Sequence, residues 1–158
     1  MKNQGLKLHM QFYVGQNRFV LPARDIIAIV PVVSLREMPQ APHYVAGILN
    51  YHGESVPVVD IRVLMAGVKT DIRLSTRIAV IRFDVSRKKQ RLLGLLAERL
   101  TEVMRIDETR FKASGAANGN AGYLGGVITD NKGILQRLEV SELIPESARK
   151  KLFSRNLA

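Results

Sequence analysis

The chain has no cysteine, which excludes disulfides and thiolate metal sites and suits a reducing compartment without requiring one. Histidine is nearly as scarce. His9, His43 and His52 lie far apart, none four residues from another, so the three or four convergent ligands of a zinc centre are not expected. Acidic residues are the minority charge, 14 against 24 Lys and Arg, and the net charge of +10 invites a nucleic-acid or anionic-membrane reading. Aromatics make up only 6 % and do not interleave with the basic clusters 87–91 and 149–151, as a base-stacking platform would require. No run approaches the ~18 consecutive apolar residues of a membrane span. The first eleven residues hold one basic residue before Gly5 and no long apolar run, so a secretory signal is not expected and the protein is expected to be cytoplasmic.

Catalytic constellations are equally thin. No serine sits in a Gly-x-Ser-x-Gly elbow, and the glycines of 115–126 lack the Gly-Lys-Ser/Thr ending of a phosphate loop. Asp60, Glu98 and Glu102 fall at element ends, where a cap or a cross-strand ion pair is the default role, and nothing in their spacing argues a paired-carboxylate mechanism. Asp60 in particular reads as structural. No enzyme activity and no cofactor are expected.

What is present is a succession of short strands. A chain of 158 residues is expected to form one domain, or two packed subdomains sharing a core, burying roughly two-thirds of its unfolded surface. His9–Val14 and Arg18–Leu21 flank the turn Gly15-Gln16-Asn17, and in this weak alternation His9 reads as an exposed strand residue. Ile26–Val30 is a short apolar segment, and His43–Ala46 has room for one helical turn. Residues 47–62 form the clearest hairpin, with a polar turn at His52–Ser55, leading to a short helix that Asp60 would cap. Arg77–Phe83 is a strand, 84–90 a basic turn, Arg91–Leu96 its partner, and Glu98–Met104 a continuation. The segment 112–122, rich in Gly, Ala and Asn, reads as a mobile loop. Tyr123–Thr129 and Ile134–Leu138 form a last hairpin, 140–143 a short element, and 146–156 a basic helix opened by Pro145. Many short strands with turn signals every ten residues or so imply a mainly β fold with barrel-like closure. No sequence repeat is strong enough to establish a duplication.

Several of these segments together resemble the CheW family, the adaptors that join chemoreceptors to a CheA-type histidine kinase. The resemblance lies in the hairpin ending Phe19-Val20-Leu21-Pro22 and the apolar segment after it. It continues in the run Met38-Pro39-Gln40-Ala41-Pro42-His43-Tyr44-Val45-Ala46-Gly47-Ile48-Leu49-Asn50, and in Gly53 followed by Val56-Pro57-Val58-Val59-Asp60-Ile61-Arg62. It covers about residues 7–145, so the whole chain is a single CheW-like domain with two β subdomains and the basic helix 146–156 appended. Segments 74–77, 93–102 and 123–125 look most like the adaptors of Wsp-type surface-sensing systems, which drive cyclic-di-GMP synthesis.

The resemblance implies two packed SH3-like five-stranded β-barrels with short helices and a C-terminal helix. It implies two partners: the cytoplasmic tip of a methyl-accepting chemoreceptor, docked in the groove between barrels, and the regulatory domain of a CheA-type histidine kinase at a barrel end. The adaptor would bind no nucleic acid, would meet the membrane only through the receptor, and would be recruited to receptor arrays at its inner face. Docking positions implied are Ile26, Ala28, Ile29, Val45 and Ile48, with Asn50, His52 and Gly53 at the hairpin. Two departures stand out. His52 replaces the family's usual arginine before the hairpin glycine, and Ala28 replaces its usual glutamate, so a cross-hairpin ion pair would be lost as a unit. His52 could titrate near physiological pH in a docking surface, or be a solvated turn residue with no switching role. Two other classes remain open from the residues alone: a small basic β-barrel that binds nucleic acid, and an enzyme with a site assembled from scattered carboxylates.

Overall fold

The computed structural model describes residues 5–113 and 122–153. It is mainly β, with nine strands in chain order: β1 (Leu6–Val14), β2 (Asn17–Pro22), β3 (Ile26–Pro31), β4 (Val45–Tyr51), β5 (Glu54–Asp60), β6 (Arg77–Ser86), β7 (Lys89–Asp107), β8 (Leu124–Asp130) and β9 (Gly133–Leu138). Two short helices, α1 (Ile61–Ala66) and α2 (Glu146–Leu152), follow β5 and the last hairpin.

The 19-residue β7 organises everything else. Its first part pairs with β6 on one side and, in parallel, with β5 on the other, giving the five-stranded order β3-β6-β7-β5-β4. Its second part pairs with β1, giving the order β7-β1-β2-β9-β8, with β2 and β9 parallel. The changeover falls at Arg99, whose φ of +52° marks an irregular step. Glu98–Met104 is therefore the same strand as its predecessor. Neither half closes into a barrel by a full ladder. The chain after β3 reaches β4 through one bridge, Arg36–Ile48, and the chain after β7 reaches β8 through one bridge, Lys112–Val127.

The main core lies where the halves meet, combining Phe12, Phe19 and Leu21 with Val59, Ile81, Phe83, Leu93 and Leu95. Each half also keeps a smaller cluster of its own, one around Val56, Val58 and Ile78, the other around Val20, Ile106 and Leu135. Helix α2 closes the main cluster by burying Leu152 and stacking Phe153 on Phe83 at 5.7 Å. It spans 146–152; the remainder of the expected 146–156 helix lies outside the described residues after Phe153, as does 114–121 of the expected loop.

Several local expectations change. His43-Tyr44 is a turn leading straight into β4, with no helical turn. The basic turn narrows to Arg87-Lys88, because Asp84 pairs with Gln90 and Ser86 with Lys89. His9 is not exposed but fully buried. A register shift between Gln11 and Tyr13 breaks the alternation of β1, so that Gln11 and Phe12 are both buried.

Candidate docking surfaces

The β4–β5 hairpin turns on two residues, His52 and Gly53, with φ of +50° and +85°. Positive φ at both central positions is the type I′ geometry that matches strand twist. Asn50 fixes the turn, its Oδ1 accepting from the Gly53 amide at 2.8 Å. Asn50 and Gly53 thus build the hairpin end, while the exposed His52 sets its ring edge-on to Tyr51 at 4.5 Å. Ala28 is half-buried against the smaller cluster that also takes Tyr51. Ile26, Ile29 and Val45 pack instead on the main core. Ile48 is half-buried, and its backbone carries the bridge to Arg36, with N···O distances of 2.9 and 2.7 Å. The eight positions thus divide among the main core, the smaller cluster, the bridge and the hairpin end.

A second surface was not apparent in the sequence. In β1 the apolar residues Leu6, Leu8 and Met10 alternate with Lys7, His9 and Gln11. Ordinary patterning would turn the apolar set inward. The structure does the reverse: His9 and Gln11 are buried at 0 % and 3 % exposure, while Leu6 and Leu8 face solvent. Register places Met10 opposite Val103, itself 55 % exposed, and Leu8 opposite Arg105. Met10 touches the same main core as Ile26 and Ile29. An apolar strip therefore runs over β1 and the second part of β7, and through Met10 it meets the core on which Ile26 and Ile29 also pack. The signal that could have found it was the period-2 apolar run itself, had its direction been questioned.

The polar inner face of β1 is partnered in part from within, the buried His9 Nε2 and Arg18 Nε having no hydrogen-bond partner among the described residues. His9 Nδ1 lies 3.0 Å from the Lys7 carbonyl, and its Nε2 lies 3.7 Å from Glu108. Glu108 also pairs with Arg24 at 2.9 Å and Arg137 at 3.7 Å, and the hydrogen bond from Arg24 is the chief reason its carboxyl sits below the usual range. Gln11 donates to Glu102 and accepts from Arg18. Arg18 forks onto Asp130 at 2.8 and 3.0 Å, which lowers the Asp130 carboxyl and raises the guanidinium.

A third feature is a cleft of about 670 Å³ between α1 and the β1–β2 turn, with β8 and β9 on its far wall. Val14, Phe19, Met65, Val68 and Ile134 give it an apolar lining, and none of the eight positions named from the sequence contributes. Its wall is held by Asp60, which is buried. Asp60 Oδ1 accepts from the amides of Arg62 and Val63, capping α1, and from the Thr70 hydroxyl at 2.6 Å; Oδ2 accepts from the Thr70 amide. Arg62 in turn pairs with Glu98 at 3.0 Å. The structural role expected for Asp60 and the ion pair expected for Glu98 are both present. Among the described residues no three His, Asp or Glu side chains gather to hold a metal, and no helix is long and apolar enough to cross a membrane.

Comparison with known proteins supplies the frame. Residues 9–148 match the family model described as CheW-like domain. A chemotaxis protein CheW of Helicobacter pylori is 29 % identical over 108 residues, 68 % of this chain and 62 % of that protein. Another, of Rhizobium meliloti, is 25 % identical over 94 % of each chain. Among solved structures, the scaffolding protein TtCheW of Thermoanaerobacter tengcongensis superposes with a TM-score of 0.78 at 19 % identity over 90 % of both chains, a likeness of fold. With the match running through both halves and across the shared β7, the chain belongs to the CheW-like domain family.

Proposed function

We propose that this protein is a non-catalytic adaptor that couples a methyl-accepting chemoreceptor to the regulatory domain of a CheA-type histidine kinase, working in the cytoplasm at receptor arrays on the inner face of the membrane. The observation that carries the reading is the inverted patterning of β1. Leu6, Leu8 and Val103 stand in water while His9 and Gln11 are inside, and an apolar strip of this kind is a surface made to be covered. Through Met10 it meets the core on which Ile26 and Ile29, the expected receptor-docking positions, also pack, and its exposed apolar side chains suit the apolar side of a helical hairpin. The adaptor then acts by differential contact: a receptor state that fits the strip better shifts the kinase equilibrium. The hairpin positions Asn50, His52 and Gly53 remain proposed as kinase- or receptor-facing, with His52 the side chain presented at the tip.

Co-sedimentation with receptor-containing membranes and kinase tests this. The wild type is expected in the pellet with both partners, and Leu8→Glu and Val103→Glu, each at an exposed position, are expected in the supernatant while still folded. No binding by the wild type at tens of micromolar would overturn the reading. A surface-sensing output is proposed with it, on the segments 74–77, 93–102 and 123–125. Deletion of the gene is then expected to lower cellular cyclic-di-GMP, and unchanged levels would remove that part alone.

A further inference from the structure

The net charge of +10 is not used by the apolar strip, and the structure concentrates much of it in one place. The β6–β7 hairpin ends in Arg87, Lys88 and Lys89, all exposed, with Arg91 exposed just behind. Arg91 lies opposite Phe83, and alternation puts Lys89 on the same face. That face is the one on which Phe83 carries α2, through the Phe153 stack at 5.7 Å and the Arg149 guanidinium 5.3 Å above its ring. The last turn of α2 brings Lys150 and Lys151, both exposed. Two basic runs sixty residues apart in sequence thus belong to elements joined through Phe83 on one face of the sheet, which makes a basic corner. Helix polarity explains part of the α2 charge, since cations suit a C-terminus. It does not explain the hairpin. None of Arg87, Lys88, Lys89, Arg91, Lys150 or Lys151 is in an ion pair of the described structure, whereas Arg18, Arg24, Arg62 and Arg137 all are.

We infer that this corner is a docking surface for an acidic segment of a partner protein, separate from the apolar strip. The chemistry of the corner decides among anionic partners. A bilayer surface would favour an apolar side chain to insert; 83–92 and 146–153 expose no large one, and Ile27, which shares a cleft with Arg91, shares it with the carboxylate of Glu54 as well. Single-stranded nucleic acid would need an exposed ring for stacking, but Phe83 is buried and Phe153 is spent upon it. What is left is a rim of long, mobile cations on a stiff hairpin and a docked helix, suited to carboxylates and to steering encounter rather than to tight, dry contact.

The test measures binding of fluorescein-labelled deca-glutamate to the full chain at low and raised salt. One variant, Lys88→Glu/Lys89→Glu/Lys150→Glu, reverses the corner. A control, Lys7→Glu/Lys69→Glu/Lys112→Glu, makes the same change of net charge elsewhere. The expected result is a loss of about tenfold or more for the corner variant at low salt and about twofold or less for the control, with the wild-type affinity falling steeply as salt rises. Equal losses in both variants would overturn the inference, since bulk charge would then suffice. So would failure of the wild type to bind the peptide, or corner-dependent binding of phosphatidylglycerol vesicles or a single-stranded oligonucleotide in its place. These readouts use neither receptor nor kinase, so they stand or fall apart from the adaptor reading.

Discussion

Removing the Asp60 carboxylate should cost more than removing any other single polar group, because four bonds converge on it inside the protein. In Asp60→Ala, helix α1 loses its N-cap, which is worth about 1 kcal/mol. The Thr70 amide and hydroxyl, in a residue only 6 % exposed, lose their acceptors at 3.0 and 2.6 Å, adding about 2 kcal/mol. The expected total is about 3 kcal/mol, a large fraction of the 5–15 kcal/mol by which such domains are typically stable. Asp60→Asn keeps one oxygen but turns an amide NH₂ toward a donor, and should lose about 2 kcal/mol. Thr70→Val removes the hydroxyl and leaves the amide bond, losing about 1 kcal/mol. Because the residues share bonds, the double variant Asp60→Ala/Thr70→Val should be less unstable than the sum by about 1 kcal/mol. Urea unfolding reads these as shifts of midpoint at constant slope. A loss below about 1 kcal/mol for Asp60→Ala, or strict additivity of the pair, would refute the account of how the α1–Thr70 wall is held.

Gly47 has a φ of +150°, and a Cβ there would lie 2.7 Å from Leu35 Cβ and 2.8 Å from the Arg36 carbonyl oxygen. Gly47→Ala should therefore break the Arg36–Ile48 bridge and cost about 3 kcal/mol in the same urea assay, with amide exchange at Arg36 and Ile48 accelerated. His52 is a non-glycine residue at φ +50°, so His52→Asn should be neutral to stabilising by about 0.5 kcal/mol, seen as a rise in midpoint. Glu108 has its carboxyl lowered in the folded state, chiefly by Arg24. Its contribution is present above the unfolded carboxylate value of about 4.3 and is lost as pH falls through the folded value. The stability gap between wild type and Glu108→Gln should thus be constant at neutral pH and shrink below that point; a gap that widens in acid would contradict the assignment. Leu8→Glu should abolish receptor pelleting without moving the thermal midpoint by more than about 2 °C, a surface substitution being small in stability terms.

Local chemistry was legible in the sequence wherever it was complete in a few residues. The 47–62 hairpin, the Asp60 cap and the Arg77–Phe83 strand all carry their own turn or cap residues, although the turn is His52-Gly53 and not the expected His52–Ser55, because Glu54 and Ser55 already pair with Tyr51 and Asn50. Length and direction of β7 were not legible: Glu98 and Arg99 look like an end, and only the pairing with β1 shows the strand going on to Asp107. The parallel pairings of β2 with β9 and β5 with β7 join residues far apart, so no local pattern encodes them. Burial of His9 was misread for a related reason. A polar residue in an alternating run is assigned to water by default, and what surrounds His9 is the local Lys7 carbonyl together with the distant Glu108 and Phe111. The apolar strip was missed with it, because the two faces of β1 exchange roles together.

The pairing of the strands carries one more consequence. Residues 6–66 run hairpin, strand, single bridge, hairpin, helix; residues 77–152 run in the same order, with β6 and the first part of β7 as the opening hairpin and the second part of β7 as the lone strand. In each segment the opening hairpin leaves its own strands and joins those of the other: β1–β2 lie with β7, β8 and β9, while β6 and early β7 lie with β3, β4 and β5. The molecule has the form of a hairpin-exchanged dimer written as one polypeptide. A cut in the loop between 66 and 77, which would look like a linker between subdomains, therefore separates no subdomain. It yields two fragments, each holding an incomplete part of both sheets, that can regain the fold only in each other's company.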